Sequence, residues 1–124
     1  MSDIRKALIG ICDAFNAHDL DRIMSFFAND CVLEMPRGTE PWGTRCEGRE
    51  AVRKGLASRF EGLPDVHYGN GQHFVDEAAQ TGMSKWLLTG TNRAGRKIAA
   101  NGCDFYTFRN GQVIRKDSYW KIVE

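Results

Sequence analysis

The chain has 124 residues, 42% hydrophobic and 27% charged, and 17 Lys plus Arg against 16 Asp plus Glu leave a formal charge of +1. That length makes a single domain, 1–124, able to bury about two-thirds of its unfolded surface. The even balance argues against a nucleic-acid partner, which calls for a basic surplus on one face. No apolar run approaches the ~18 residues of a membrane span, and Met1–Lys6 holds no secretory h-region, so no membrane and a cytoplasmic location are expected.

Helical periodicity comes first. Ile4, Leu8, Ile11, Cys12 and Phe15 form one buried stripe, with Ser2 or Asp3 as cap. Asn16-Ala17-His18 breaks that pattern, and Asp19 is placed to cap a second helix whose face is Leu20, Ile23, Met24 and Phe27. It should end near Asn29-Asp30. Cys31–Met35 reads as a short strand stopped by Pro36, and residues 37–48 as a long loop holding Trp42. A third helix from about Arg49 to Phe60 turns Val52, Leu56 and Phe60 inward, and Gly62 and Pro64 end it. Four strands follow: Val66–Asp76, Thr81–Asn92, Lys97–Phe108 and Gln112–Val123. Arg93-Ala94-Gly95 and Arg109-Asn110-Gly111 join the last three as hairpins, so these strands make one antiparallel meander. Three helices against such a sheet is an α+β architecture.

The cysteines, Cys12, Cys31, Cys46 and Cys103, form no C-x-x-C pair. We read three as small buried hydrophobes and Cys46 as a loop thiol. His18, His67 and His73 are dispersed and have no ligand partners in sequence, so no metal is expected. His18 reads as solvated, and His73 as a base only if its strand turns it inward.

The order of elements resembles the nuclear-transport-factor-2-like superfamily. The likeness sharpens in Phe15-Asn16-Ala17-His18-Asp19-Leu20-Asp21, Phe27–Cys31 and Pro36–Pro41, and again in Asp104–Phe108 and Asn110–Ile114. These segments are similar to ketosteroid isomerase and the SnoaL-like polyketide cyclases; residues 57–90 match poorly. The resemblance implies a conical barrel, three N-terminal helices packed on a curved antiparallel sheet. It further implies a cavity for a hydrophobic small molecule, cofactor-independent chemistry and a homodimer.

Residue by residue, the isomerase chemistry does not carry over. The matching position for its proton-moving carboxylate is Met35, and for its tyrosine donor Ile11; only the second oxyanion donor survives, as Asp104. The resemblance places Ser118 where the cyclases carry an acidic group, and a serine without a base partner does not replace it.

Register across Arg109-Asn110-Gly111 decides which residues share the face of Asp104. With a type I turn and a Gly bulge, Phe108 pairs with Gln112 and Lys116 lies directly opposite Asp104. Tyr106, Phe108, Ile114, Ser118 and Trp120 then join that face. With a two-residue type I′ turn, Asp104 shares its face with Asp117 instead. The first register is favoured because Ile114, Trp120 and Ile122 alternate as a core-facing set. It makes Asp104 and Lys116 the candidate catalytic pair, or equally a structural ion pair that fixes register. Ile11, Phe15, Met35, Leu56, Tyr106, Ser118 and Trp120 would shape the pocket, with Trp42 as a lid. Period-2 alternation turns Glu34 to the opposite face, and Trp86 is placed at a dimer interface.

Two readings follow. One is an enzyme that moves protons on a polyketide-, steroid- or aromatic-like carbonyl compound by isomerisation, cyclisation or dehydration. The other is a binding domain holding a lipid or metabolite.

Overall fold

Helix α1 (Asp3–Asn16) forms along the apolar stripe read from the sequence and buries Ile4, Leu8, Ile11 and Phe15. The computed structural model describes residues 3–124, so Ser2, the alternative cap, lies outside the described residues. Helix α2 (Leu20–Met24) is capped by Asp19, whose carboxylate accepts the Arg22 N–H. It stops well short of Asn29. Phe27 stays buried as expected, but on strand β1 (Phe27–Glu34), because that strand pairs with the final strand and takes the segment out of the helix. Part of the expected loop forms a short strand, β2 (Arg45–Glu47), antiparallel to β1. Helix α3 (Arg49–Gly62) then buries Val52 and Leu56.

The expected meander is present as β3 (His67–Asp76), β4 (Thr81–Thr91), β5 (Lys97–Arg109) and β6 (Gln112–Trp120). The sheet runs β2-β1-β6-β5-β4-β3, and β1 lies parallel to β6. Three expectations are corrected by that order. The sheet is mixed rather than purely antiparallel. Its edge strands β2 and β3 do not pair, so it is a curved open sheet and not a closed barrel. And α3 enters after β2, so only α1 and α2 are N-terminal to the sheet.

Residues 121–124 leave the sheet after the Lys121 N–H bonds the Asn101 carbonyl at 2.9 Å, and Ile122 is 89% exposed rather than core-facing. The helices cover one face of the sheet, where Tyr68, Leu88, Tyr106, Phe108 and Val113 join the α1 and α3 side chains in one core. No helix among the described residues is long and apolar enough to cross a membrane. His18 is exposed, as expected, while its Nε2 lies 2.6 Å from the Val66 carbonyl and its ring packs on Phe60.

Candidate active site

The hairpin between β5 and β6 sets the geometry of the site. Asn110 and Gly111 both have positive φ (52° and 78°), the requirement of a two-residue type I′ turn, and Arg109 pairs with Gln112. That turn alone would put Asp104 beside Asp117. A bulge intervenes: Phe108 pairs with Val113 but Thr107 with Arg115, leaving Ile114 as the extra residue. The bulge restores the parity that places Lys116 on the face of Asp104. Direct opposition is corrected all the same, since Asp104 faces Ser118 and Lys116 faces Tyr106.

Lys116 reaches Asp104 on the diagonal. Its Nζ donates to Asp104 Oδ1 at 2.9 Å and to Ser118 Oγ at 2.6 Å, while Ser118 donates to the same Oδ1 at 2.7 Å. The other oxygen, Oδ2, accepts the Trp86 Nε1–H at 3.1 Å. All four residues are buried. The third ammonium proton of Lys116 remains for the space before the Phe15 ring, whose centroid is 5.4 Å away.

Trp86 is a correction to the interface expectation. It alternates with buried Ser84 and Leu88 on β4 and is itself only 6% exposed. Gly102 stands opposite it, and any Cβ there would fall 2.7 Å from the indole. A glycine facing a tryptophan across an antiparallel pair was the sequence signal that would have placed this ring inward.

The surrounding groups are poor acids near neutral pH. Burial, then the Asp104 charge, pushes the Tyr106 hydroxyl well above its ordinary range, and burial does the same to Tyr68 against the pull of Arg59. Burial, Asp13 and Asp104 raise the Cys12 thiol. His73 does turn inward: its Nδ1 is 2.8 Å from Ser84 Oγ, and Ser84 sits opposite Asp104. Burial and the neighbouring Arg5 hold His73 below its ordinary pKa, against Asp13.

Two small cavities border this network. One of about 30 Å³ is lined by Phe15, Met35, Leu56, Lys116, Ser118 and Trp120, with Asp104 and Trp86. The other, of about 10 Å³, is lined by Ile11 and Tyr106 and shares Phe15, Trp86 and Asp104. Together they hold a few waters and no more. Met35, Pro36, Arg59 and Trp120 also line a groove of about 490 Å³, and the Arg59 guanidinium stacks 4.5 Å from the Trp120 ring centroid. The residues expected at the pocket are thus brought together, Trp42 excepted. Trp42 is 43% exposed with Arg45 stacked on it at 4.5 Å, and it borders neither the cavities nor the groove. Sequence reasoning missed Arg59 and Tyr68, which carry no motif and reach the cavity only through tertiary packing.

A second buried carboxylate occupies the opposite face. Glu34 lies between Arg45 (2.7 Å) and Arg115 (2.6 Å), on the side that alternation assigned to it.

The model of the SnoaL-like domain matches residues 9–116. No curated protein matches the chain. Among solved structures, a polyketide-cyclase-like protein of Xanthomonas campestris superposes with a TM-score of 0.83 at 20% identity, over 97% of this chain and 93% of that one. A Mycobacterium tuberculosis protein in complex with estradiol-17beta-hemisuccinate superposes with a TM-score of 0.82 at 20% identity, covering 98% and 96%. An epoxide hydrolase/cyclase-like enzyme with a role in pyran-ring formation in salinomycin does so at 0.80 and 19% identity, covering 95% and 90%. At these identities the likeness is one of fold.

Proposed function

The chain belongs to the SnoaL-like domain family, and from that premise we propose that it acts on a hydrophobic polyketide-, steroid- or aromatic-like carbonyl compound by cofactor-independent proton transfer. The observation that carries this reading is a buried ion pair, Asp104–Lys116, on the wall of a cavity that also has apolar and aromatic lining. Lys116 has an ammonium proton to offer a ligand carbonyl, where negative charge grows as the adjacent carbon loses its proton. Asp104 takes that proton and returns it at another carbon in an isomerisation. In a dehydration the enolate forms the C=C bond as the β-carbon–oxygen bond breaks, and the proton held by Asp104 leaves with the β-hydroxyl as water. A ligand enters when Arg59 and Trp120 move aside and join the small cavity to the groove. The structural relatives named for polyketide cyclisation and for an estradiol derivative support the class of ligand.

A second reading, a binding domain without catalysis, is favoured by a specific observation. Both Asp104 oxygens already accept hydrogen bonds, and Met35 follows β1 where a proton acceptor would stand. Incubating the protein in D₂O with a set of flat hydrophobic ketones separates the two. Deuterium uptake beside the carbonyl that disappears in Asp104→Asn supports the enzyme. A ligand-induced rise in Tm without uptake supports the binding domain, and no rise with any ketone overturns both.

The proposal includes a homodimer formed through the outer face of the sheet. Phe74, Met83 and Phe105 stand in one cross-strand row there, with Tyr119 nearby, and Phe74, Phe105 and Tyr119 are 49%, 43% and 56% exposed. Sedimentation at monomer mass at high concentration removes this part; a dimer that Phe105→Lys dissociates supports it.

A further inference from the structure

We infer that the natural ligand is a carboxylic acid, whose apolar body lies in the groove and whose carboxylate is bound by the cations around it. The inference rests on the small-molecule reading above and names the substrate class for it. Five cations line the groove: Arg37, Arg59, Arg96, Lys97 and Lys121. No aspartate or glutamate lines it. The ion pairs among the described residues involve Arg45, Arg53, Arg109, Arg115 and Lys116, so none of the five groove cations is in one. In a chain with 17 basic and 16 acidic residues, that is a local imbalance which the remainder of the sequence does not share. Like charges gathered around one concavity repel, and an anion placed among them relieves that repulsion.

The rest of the groove is suited to an apolar body rather than a free inorganic ion. Met35, Pro36, Leu63, Ile98, Ala100 and Trp120 form its wall, and about 490 Å³ falls within the range of drug-sized ligand sites. Trp120 is flanked by guanidinium groups, Arg59 at 4.5 Å and Arg37 at 6.0 Å from its centroid, so one ring joins the apolar wall to the charge. Arg59, Trp120 and Met35 also border the cavity of about 30 Å³ that holds Asp104 and Lys116. That cavity has room for a carbonyl group and not for a ring system. The ligand that satisfies both spaces is a hydrophobic keto acid, its carboxylate outermost and its carbonyl toward Lys116.

The test compares 2-naphthylacetate with the neutral 2-(2-naphthyl)ethanol by isothermal titration. The acid should bind about tenfold more tightly, the strength of one charge-assisted contact, and the preference should shrink with added salt. Arg96→Met combined with Lys121→Met, both on the exposed rim, should remove that preference and leave the alcohol's affinity unchanged. Lys54→Met, on the exposed side of α3 and outside the groove, should leave the acid's affinity as it was. Equal affinity for acid and alcohol, or an equal loss from Lys54→Met, overturns the inference. If the alcohol then still binds and Trp120→Ala weakens it, the small-molecule reading stands without the acid. Failure of both compounds to bind overturns the two together.

Discussion

Asp104 and Glu34 are carboxylates of one sheet, both buried and both paired with cations, yet they belong to different physical regimes. The side chains of Asp104 and Lys116 are each 8% exposed, so charge and counter-charge are sealed together beneath the helices. Glu34 is 6% exposed, but its partners Arg45 and Arg115 are 34% and 41% exposed and keep their guanidinium groups in water. A pair that is wholly sealed depends on both members remaining charged, because neither can turn to solvent when the other is lost. A carboxylate served by hydrated arginines loses only its own bonds. The two also differ in setting: the sealed pair lines a cavity, and Glu34 lines neither the cavities nor the groove.

The sharpest way to break the comparison is Lys116→Met, which strands Asp104 without its cation. It should cost about 3–5 kcal/mol in denaturant unfolding, and Asp104→Leu with Lys116→Met should recover most of the loss. An unchanged midpoint in the single variant would contradict a sealed pair. Glu34→Gln should cost less, about 2 kcal/mol, since both arginines rehydrate. It also carries the clearer pH signature. Burial works against the Glu34 charge, but the hydrogen bonds and charges of Arg45 and Arg115 outweigh it and hold the carboxyl below its ordinary value. With the folded pKa depressed, the stabilisation is full above the ordinary carboxylate range and is lost as pH falls toward the folded value. Acid unfolding followed by circular dichroism should therefore show a shallower acid limb in Glu34→Gln.

Trp86→Phe keeps a ring against Tyr68, 4.8 Å away, and removes the donor to Asp104 together with part of the indole packed on Gly102. It should cost about 1 kcal/mol, and a larger deuterium-exchange or binding defect than stability defect would mark that donor as positioning Asp104. Trp42→Ala should matter least, about 0.5 kcal/mol from its exposed stack on Arg45. Ligand affinity should not change, because the ring borders neither the cavities nor the groove.

Much of this arrangement was legible from residue spacing. The α1 stripe, the β3–β6 meander and the turning of Glu34 away from the site follow from periods of 3.6 and two, which are local properties of the chain. The shared face of Asp104 and Lys116 was anticipated through a different turn. The hairpin uses the two-residue turn, and the bulge at Ile114 compensates for it. Phe27 shows the same limit: its apolar spacing fitted a helix, but pairing of β1 with β6 claimed it for the sheet. Trp86 was misplaced because its fit depends on Gly102, a residue distant in sequence and adjacent only across the ladder.

By itself the sequence determined an α+β chain, the succession of its helices and strands, and a short set of polar residues on an apolar face. Those conclusions rest on alternation and capping, which involve neighbours a few residues apart. Tertiary structure alone decided that Asp104 is held by three donors, that Trp86 is one of them, and that five cations outside the ion pairs of the described residues meet around one groove. Each of these depends on strand register after a bulge or on loops brought together from distant positions, and free energy at such contacts is set by packing between elements rather than by the pattern within any one of them.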